Sequence, residues 1–223
     1  MSAGRPPSPP FVDITALYPD GYFASHPLFG GEALATVATS PVAMTPAERL
    51  LLWSLAYALR PAAYVEIGTR EGGSALLVAS ALATAGAPGR IVCVDPEPRI
   101  APATWARLAP RATLLAERSP AALLAARAAA GTDFDLALVD GDHAEDAVLA
   151  DAEGLVPHLA ERAWLLFHDA HFPEVAHAVD RFLAADAPRR TDLGWLTREF
   201  TVESHPAGGE RAWGGLRGVL VRR

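Results

Sequence analysis

Hydrophobic positions follow a regular pattern from residue 45 onward, in which short apolar runs alternate with longer amphipathic segments. Short apolar runs bounded by turn residues are typical of buried strands. We predict strands over 62–67, 90–94, 111–115, 134–139, 163–167, 196–202 and 216–221. Apolar residues recur at helical spacing in the segments between the first five runs and after the fifth, which predicts helices over 74–84, 101–108, 119–131, 143–156 and 173–184.

A further helix precedes the first strand. Thr45 is a good N-cap, Pro46 suits the first helical position, and Glu48 completes a capping box. An apolar stripe follows at helical spacing, formed by Leu51, Leu55, Ala58 and Leu59. Pro61 ends the helix.

Strands that alternate with helices indicate βαβ units around a parallel sheet. The fold class is therefore α/β, with a seven-stranded, mostly parallel sheet and helices on both faces. No helix is predicted between the last two strands, so we expect them to form an antiparallel hairpin at the sheet edge, joined through HPAGGE. We divide the chain into an N-terminal segment, 1–44, which is partly disordered or covers the substrate, and one domain, 45–223.

Composition narrows the range of partners. Hydrophobic residues make up 51% of the 223 residues, enough for a folded core, and the net charge is -7. An acidic chain is a poor partner for nucleic acid, and no apolar run is long enough to span a membrane. The single cysteine, Cys93, lies in a predicted strand, so we expect a cytoplasmic protein without disulfides. The chain has no Lys, Asn or Gln, which excludes lysine-based chemistry.

The turn after the first strand reads VEIGTREGGSA and has the features of a ligand-binding turn. Gly68 allows a sharp turn and a close approach to the backbone, and the helix that follows Gly72 favours an anion at its N-terminus. Ser74 donates to that anion or caps the helix. Arg70 stands where a dinucleotide fingerprint has glycine, and Glu66 suits an ammonium group. A ligand with an amino-acid moiety fits this turn better than a diphosphate does.

The second strand ends at Asp95, whose carboxylate can accept hydrogen bonds from both hydroxyls of a ribose. NAD enzymes use the same device, so an NAD-dependent oxidoreductase is an alternative. Together with the preceding turn, Asp95 favours S-adenosylmethionine.

These stretches resemble a known family. VEIGTREGGS, CVDPEP, LALVDGDHAEDAVLAD and LLFHDAHFPEVAHAVDRFL are similar to the Rossmann-like class I S-adenosylmethionine-dependent methyltransferases. The similarity is to the branch with DGDH after the fourth strand, which includes natural-product and sugar O-methyltransferases. It covers residues 45–223 and implies O-methylation of a small-molecule hydroxyl. A non-methylating member of the fold, such as a binding or hydroxylase-associated protein, is the other alternative.

The resemblance also implies residue roles and an antiparallel last strand inserted into the sheet. It places Asp95 at the ribose, the turn 117–119 with Ser119 beside the adenine, and Asp140 near the methyl donor. The methionine part would be held by Glu66, Gly68, Gly72 and Ser74.

A metal centre is a further expectation. Asp140 and Asp169 end the fourth and fifth strands, and neighbouring strands lie about 4.8 Å apart, so both carboxylates can reach one cation. Metal-dependent relatives have Asp or Asn after the second carboxylate, whereas this chain has Ala170. Oxygen ligands suit Mg²⁺, and a His ligand favours a transition metal. The missing ligand has three candidates, Asp142, His143 and His171.

The proton of the acceptor hydroxyl needs a base. Asp142 is the residue that the resemblance suggests, and His143 is the alternative because its ordinary pKa of about 6.5 suits a base at neutral pH. Either residue has a second interpretation as a cap of the following helix. The aromatic-rich stretch 11–44 has no obvious place in one such domain, so we expect a homodimer.

Overall fold

The computed structural model describes residues 31–204 and 210–223. Its helices are α1 Gly31–Thr39, α2 Pro46–Leu59, α3 Gly73–Thr84, α4 Pro102–Leu108, α5 Leu123–Ala130, α6 Glu145–Leu155 and α7 Pro173–Ala185. Its strands are β1 Ala63–Ile67, β2 Arg90–Val94, β3 Ala112–Leu115, β4 Phe134–Val139, β5 Leu159–Phe167, β6 Arg190–Trp195, β7 Thr201–Ser204, β8 Glu210–Trp213 and β9 Arg217–Arg222.

Seven strands form one sheet in the order β3-β2-β1-β4-β5-β9-β6. The first five pair in parallel, and β9 runs antiparallel to both of its neighbours, β5 and β6. The predicted α/β class and the inserted antiparallel strand are confirmed. The last strand runs antiparallel, as predicted, but it lies inside the sheet rather than at its edge. The sequence HPAGGE instead follows β7, which forms a separate two-stranded sheet with β8.

Helices cover both faces of the sheet, as predicted. Buried residues of α5, α6 and α7 form one apolar cluster with one face of the strands. Buried residues of α1 to α4 form the cluster on the other face. Because both faces are covered, the central parallel strands consist of apolar runs rather than alternating residues, and β1 is buried at every position.

Helix α2 begins as its sequence predicts. The Thr45 hydroxyl accepts from the Glu48 backbone N–H, and the Glu48 carboxylate accepts from the Thr45 N–H at 2.6 Å, which completes the capping box. Helix α1 was not predicted, since its short, alanine-rich sequence buries only Ala33 and Thr36. The aromatic residues expected to mediate a dimer fall in 11–30, outside the described residues.

The sixth strand was predicted at the wrong place. We expected it over 196–202, where the sequence is more apolar, but β6 is Arg190–Trp195 and pairs only with β9 among the described strands. A strand at the edge of a sheet tolerates polar residues, and these form ion pairs: Asp192 of β6 binds Arg217 of β9 at 2.8 Å.

Candidate active site

The carboxyl ends of β1, β2 and β4 surround a cavity of about 350 Å³. The order of the strands reverses between β1 and β4, and open α/β sheets bind ligands at such a switch point. The lining contains predicted residues from each of the three strand ends and from the turn near 119, namely Gly68, Asp95, Ser119, Asp140 and Asp142.

The turn after β1 depends on Gly68. Its φ is +91°, its N–H donates to Val94 O at 2.9 Å, and a Cβ at this position would lie 1.9 Å from the backbone oxygen of Asp140. Glycine therefore lets β1 and β4 end side by side at the cavity. Gly72 also has positive φ, +78°, but it does not line this cavity; a Cβ there would meet Ile100 and Leu108.

Glu66 lies beneath the turn and is fully buried. Its Oε2 accepts from the Ser74 hydroxyl at 2.8 Å and from the Tyr64 hydroxyl at 3.0 Å. The N-cap of α3 is Gly72, without a side-chain hydrogen bond, so the capping alternative for Ser74 is wrong. Burial raises the pKa of Glu66 to about 7, although these hydrogen bonds oppose the shift.

The raised pKa of Glu66 predicts a pH-dependent stability. The folded state binds a proton that the unfolded state releases above its ordinary pKa of about 4.3, so this group destabilises the protein as the pH rises towards 7. From pH 5 to pH 8 we expect the ligand-free protein to lose on the order of 2–3 kcal/mol of unfolding free energy relative to Glu66→Gln. Urea denaturation of both proteins at both pH values measures this. Parallel pH profiles would contradict the assignment.

Asp95 closes β2 and organises the loops around it. Its Oδ2 accepts from the Arg70 N–H and its Oδ1 from the Glu97 N–H, both at 2.7 Å. The carboxylate therefore has a fixed orientation at the cavity wall, and each oxygen retains capacity for a further hydrogen bond.

Two further cavities continue from the first one. One of about 230 Å³ shares Gly68, Arg70 and Asp140 with it and also contains His143 and Asp169. The other, of about 490 Å³, begins at His143 and Asp169. We call it the acceptor cleft; it is lined by Val42, Ala43, Met44, Thr45, Pro46, Glu48, Arg70, His143, Asp169, Thr201, Trp213 and Gly214. Asp140, His143 and Asp169 thus stand between the first cavity, at the strand ends, and this cleft.

Two aspartates and two histidines form a connected cluster at this junction. His168 Nδ1 lies 2.9 Å from Asp140 Oδ1 and 3.4 Å from Asp169 Oδ2. His143 Nε2 lies 2.9 Å from the same Asp169 Oδ2, while Asp169 Oδ1 accepts from the Gly214 N–H. The strand-end aspartates meet as predicted.

The pKa values of His168, His143 and Asp169 depend on their contacts with one another and on burial. Burial acts to lower the pKa of His168, but the surrounding carboxylates raise it well above its usual range. The hydrogen bond to Asp169 raises the pKa of His143. Burial acts to raise the pKa of Asp169, but hydrogen bonds from both histidines lower it below its usual range. Asp169 is therefore held as a carboxylate between the two histidines.

Glu48 is a member of the site that sequence reasoning missed, having been assigned only to the capping box. It is fully buried, its Oε2 lies 3.4 Å from His168 Nε2, and its Oε1 accepts from the Gly215 N–H. Burial acts to raise the pKa of Glu48, but hydrogen bonding with His168 lowers it. A carboxylate in the first turn of a helix resembles an ordinary cap, so nothing local in the sequence reveals this contact.

The remaining predicted residues lie apart from the cluster. Asp142 is exposed, lines the first cavity and accepts from the Ala144 N–H at 2.9 Å. The N-cap of α6 is Ala144, without a side-chain hydrogen bond, so the capping interpretation of Asp142 is wrong. His171 stacks on Trp195, with ring centroids 4.4 Å apart, and lines none of the three cavities. His143 is the one candidate third ligand that reaches the two aspartates.

Comparison with known proteins agrees with this architecture. Residues 65–170 match the family model of a methyltransferase domain. The O-methyltransferase TomG from Streptomyces achromogenes, involved in tomaymycin synthesis and solved with SAM, has a TM-score of 0.61 and 21% identity over 96% of this chain and 100% of its own. Cofactor-bound Rv0187 from MTB has a TM-score of 0.57 and 23% identity, covering 98% and 100%.

A third solved structure is the O-methyltransferase from Bacillus cereus in complex with SAH, with a TM-score of 0.56 and 19% identity over 86% of this chain and 89% of its own. Curated protein sequences gave no match. The strand order, with a cavity at the carboxyl ends of β1, β2 and β4, is that of the class I methyltransferase fold. Residues 65–170 therefore belong to a methyltransferase domain family, and the chain as a whole has the fold of the S-adenosylmethionine-dependent methyltransferases.

Proposed function

We propose that the protein transfers the methyl group of S-adenosylmethionine to a hydroxyl of a small molecule. The observation that carries the proposal is the group formed by Asp140, His143 and Asp169. It lies where the first two cavities meet the acceptor cleft. Two of the similar structures are O-methyltransferases by name. The size of the cleft, about 490 Å³, suits a small molecule.

The cofactor would lie across the carboxyl ends of β1, β2 and β4. Asp95 would accept from the ribose hydroxyls, and the turn containing Ser119 would border the adenine. The amino-acid moiety would lie towards Gly68 and Ser74, which line the second cavity, with Glu66 acting on its ammonium through Ser74. Gly72 would contribute its backbone conformation and the start of α3.

The affinity of the cofactor tests this placement. Asp95→Ala is expected to weaken S-adenosylhomocysteine binding by about 1.5–3 kcal/mol, because charged hydrogen bonds to the ribose are lost. Isothermal titration calorimetry measures the change. Glu97→Ala is the matched control, since it removes an exposed carboxylate two residues away and should leave the affinity unchanged. Equal affinities of the Asp95 variant and the parent protein would rule out the ribose role.

Transfer of the methyl group forms an O–C bond while the S–C bond breaks, and the acceptor proton must leave. Asp140 and Asp169 would orient the hydroxyl, directly or through a divalent cation, since alignment of oxygen, methyl and sulfur governs the rate. His143, bound to Asp169 at 2.9 Å, would take the proton when no cation is bound. With a cation held by His143, the proton of the acceptor hydroxyl would pass to water. Asp142 remains the alternative base, but its contact with Ala144 favours His143.

The donor atoms of the cluster fit a cation. Asp140, His143 and Asp169 each place one ligand atom within 4.8 Å of the others. Ala170, which follows Asp169, is buried and has no donor to add. A divalent cation bound here supplies positive charge that lowers the pKa of an acceptor hydroxyl.

A cytoplasmic location, a homodimer and the absence of a nucleic-acid partner complete the proposal. Cys93 is a buried free thiol in β2, which agrees with a reducing compartment. Among the described residues, no helix is both long and apolar enough to cross a membrane.

A product analysis tests the proposed function. The protein is incubated with S-adenosylmethionine and a panel of hydroxylated small molecules, and products are located by mass spectrometry and by NMR of the new methyl group. We expect the methyl on oxygen, with activity lost in EDTA and restored by a divalent cation. Cofactor binding without any turnover would indicate a non-methylating member of the fold. A methyl on nitrogen or carbon would overturn O-methylation, and full activity in EDTA would remove the cation.

A further inference from the structure

The third candidate ligand of the proposed cation site is a histidine nitrogen rather than a carboxylate oxygen. We propose that His143 completes the site with Asp140 and Asp169, and that its nitrogen makes the site select a late first-row transition metal, from Fe²⁺ to Zn²⁺, over Mg²⁺. The inference rests on the proposed function, because it concerns the same group. It goes further by assigning the choice of metal to His143, which lies outside the stretch 168–170 that follows β5.

The position of His143 is fixed before any cation binds. Its ring lies against Phe172 and Trp213, with centroids 5.7 Å and 5.5 Å away. Its Nε2 lies 2.9 Å from Asp169 Oδ2. The side chain is 31% exposed and lines the acceptor cleft, so this face of the site remains accessible to an acceptor oxygen. A ligand held by packing loses little entropy when it binds a metal.

Beneath the site, His168 holds the two carboxylates rather than acting as a surface ligand. Its side chain is 3% exposed, and its Nδ1 contacts Asp140 Oδ1 at 2.9 Å and Asp169 Oδ2 at 3.4 Å. On the opposite side of the ring, Glu48 lies 3.4 Å from Nε2. Partners of this kind orient the ligands of metal sites. His168 and Glu48 are therefore positioning residues, and His143 is the ligand on the solvent side.

The composition of the ligand set determines the preference for a metal. Mg²⁺ prefers oxygen ligands and retains several waters, so a nitrogen ligand adds little to the affinity of a site for Mg²⁺. Imidazole suits Fe, Ni, Cu and Zn, and affinities rise along the series from Mn²⁺ to Cu²⁺. A site with Asp or Asn after Asp169 would offer oxygen ligands only. In this chain Ala170 offers no ligand at that position, and the nitrogen of His143 takes the place of the third oxygen.

Metal binding measured without turnover tests the proposal. The full-length protein is stripped with EDTA, freed of chelator, and titrated with Co²⁺ or Mg²⁺ by calorimetry, while the visible absorption of bound Co²⁺ reports its ligands. We expect one Co²⁺ per chain, bound at least ~100-fold more tightly than Mg²⁺. His143→Ala should weaken Co²⁺ binding by more than ~10-fold and change its spectrum. His143→Glu, with oxygen in place of nitrogen, should narrow the ratio of Co²⁺ to Mg²⁺ affinity.

Controls separate this site from other histidines and from misfolding. His177→Ala removes an exposed imidazole and should leave Co²⁺ binding unchanged. S-adenosylhomocysteine affinity within about twofold of the parent would show that the His143 variants are folded. Mg²⁺ binding as tight as Co²⁺ binding, an unchanged Co²⁺ affinity in His143→Ala, or no metal binding at all would overturn the inference. Methyl transfer without a bound metal would leave the proposed function standing, and metal selection without methyl transfer would leave the inference standing.

Discussion

Turnover of the Asp169→Asn variant is expected to fall by about 10²–10⁴-fold, while its affinity for S-adenosylhomocysteine stays within about twofold of the parent protein. The carboxylate contacts His143 and His168 with Oδ2, beside the acceptor cleft and outside the cavity at the ends of β1, β2 and β4. Loss of its charge removes the anionic partner of His143 and weakens one ligand of the proposed cation. Steady-state kinetics with saturating cofactor, and calorimetry for binding, measure the two quantities.

Asparagine is the informative replacement at this position. Asp169 has a φ of +52°, and Asn tolerates this region better than most residues do. An amide oxygen can still accept from the Gly214 N–H, so the backbone arrangement is retained. Asp180→Asn is the matched control, because that carboxylate is exposed and paired with Arg217. A loss of turnover below about tenfold, or an equal loss of cofactor affinity, would count against the assigned role.

Gly68→Ala is expected to cost roughly 3–5 kcal/mol of unfolding free energy and to abolish measurable cofactor binding. The added Cβ would lie 1.9 Å from the backbone oxygen of Asp140, and neither backbone can move without separating β1 from β4. The same displacement would shift Asp140 at the junction of the cavities. Chemical denaturation and calorimetry measure the two effects.

Gly86→Ala separates the clash from backbone strain. Gly86 also has a positive φ, +62°, but a Cβ there would meet nothing within 4 Å. Its replacement should cost only the left-handed strain, about 1–2 kcal/mol. Similar costs for the two variants would show that the contact with Asp140 is unimportant.

Much of the fold follows from local sequence. The buried parallel strands were predictable because strands covered on both faces consist mostly of apolar residues, as in the run IVCV at 91–94 of β2. The start of α2 was predictable because its residue types, Thr45, Pro46 and Glu48, are those of a capping box. By contrast, β6 was missed because RTDLGW is stabilised by pairing with β9 and by ion pairs, and these come from distant parts of the chain.

The candidate site was predictable to the extent that strand ends determine it. Gly68, Asp95, Asp140 and Asp169 lie at the carboxyl ends of parallel strands, so topology alone brings them to one edge of the sheet. The contact of His143 with Asp169 depends on the conformation of the loop before α6, which residue types did not specify. Sequence reasoning therefore left Asp142 as the base that the resemblance suggests and His143 as its alternative.

The contacts of Glu48 were beyond sequence reasoning for a different reason. Glu48 reaches His168 and Gly215 from a helix that is 120 or more residues away in the chain. Only the packing of α2 against the rest of the domain brings them together. The sequence could not decide between the alternative roles of Ser74 and Asp142 for the same reason, because the choice depends on tertiary contacts.

The place of β9 in the sheet has a consequence for the order of assembly. Strands β1 to β5 can pair with one another as soon as residues 63–167 are available, whereas β6 has no partner in the sheet until β9 arrives more than twenty residues later. The β5–β9 pairing joins residues as far apart as Arg162 and Arg222, and such distant contacts form slowly. The turn that binds Asp169 and Glu48, Gly214–Gly215, immediately precedes β9. The cluster of Asp140, His143, His168 and Asp169 is therefore expected to reach its final geometry in the last folding step, after the cavity at the ends of β1, β2 and β4 has formed.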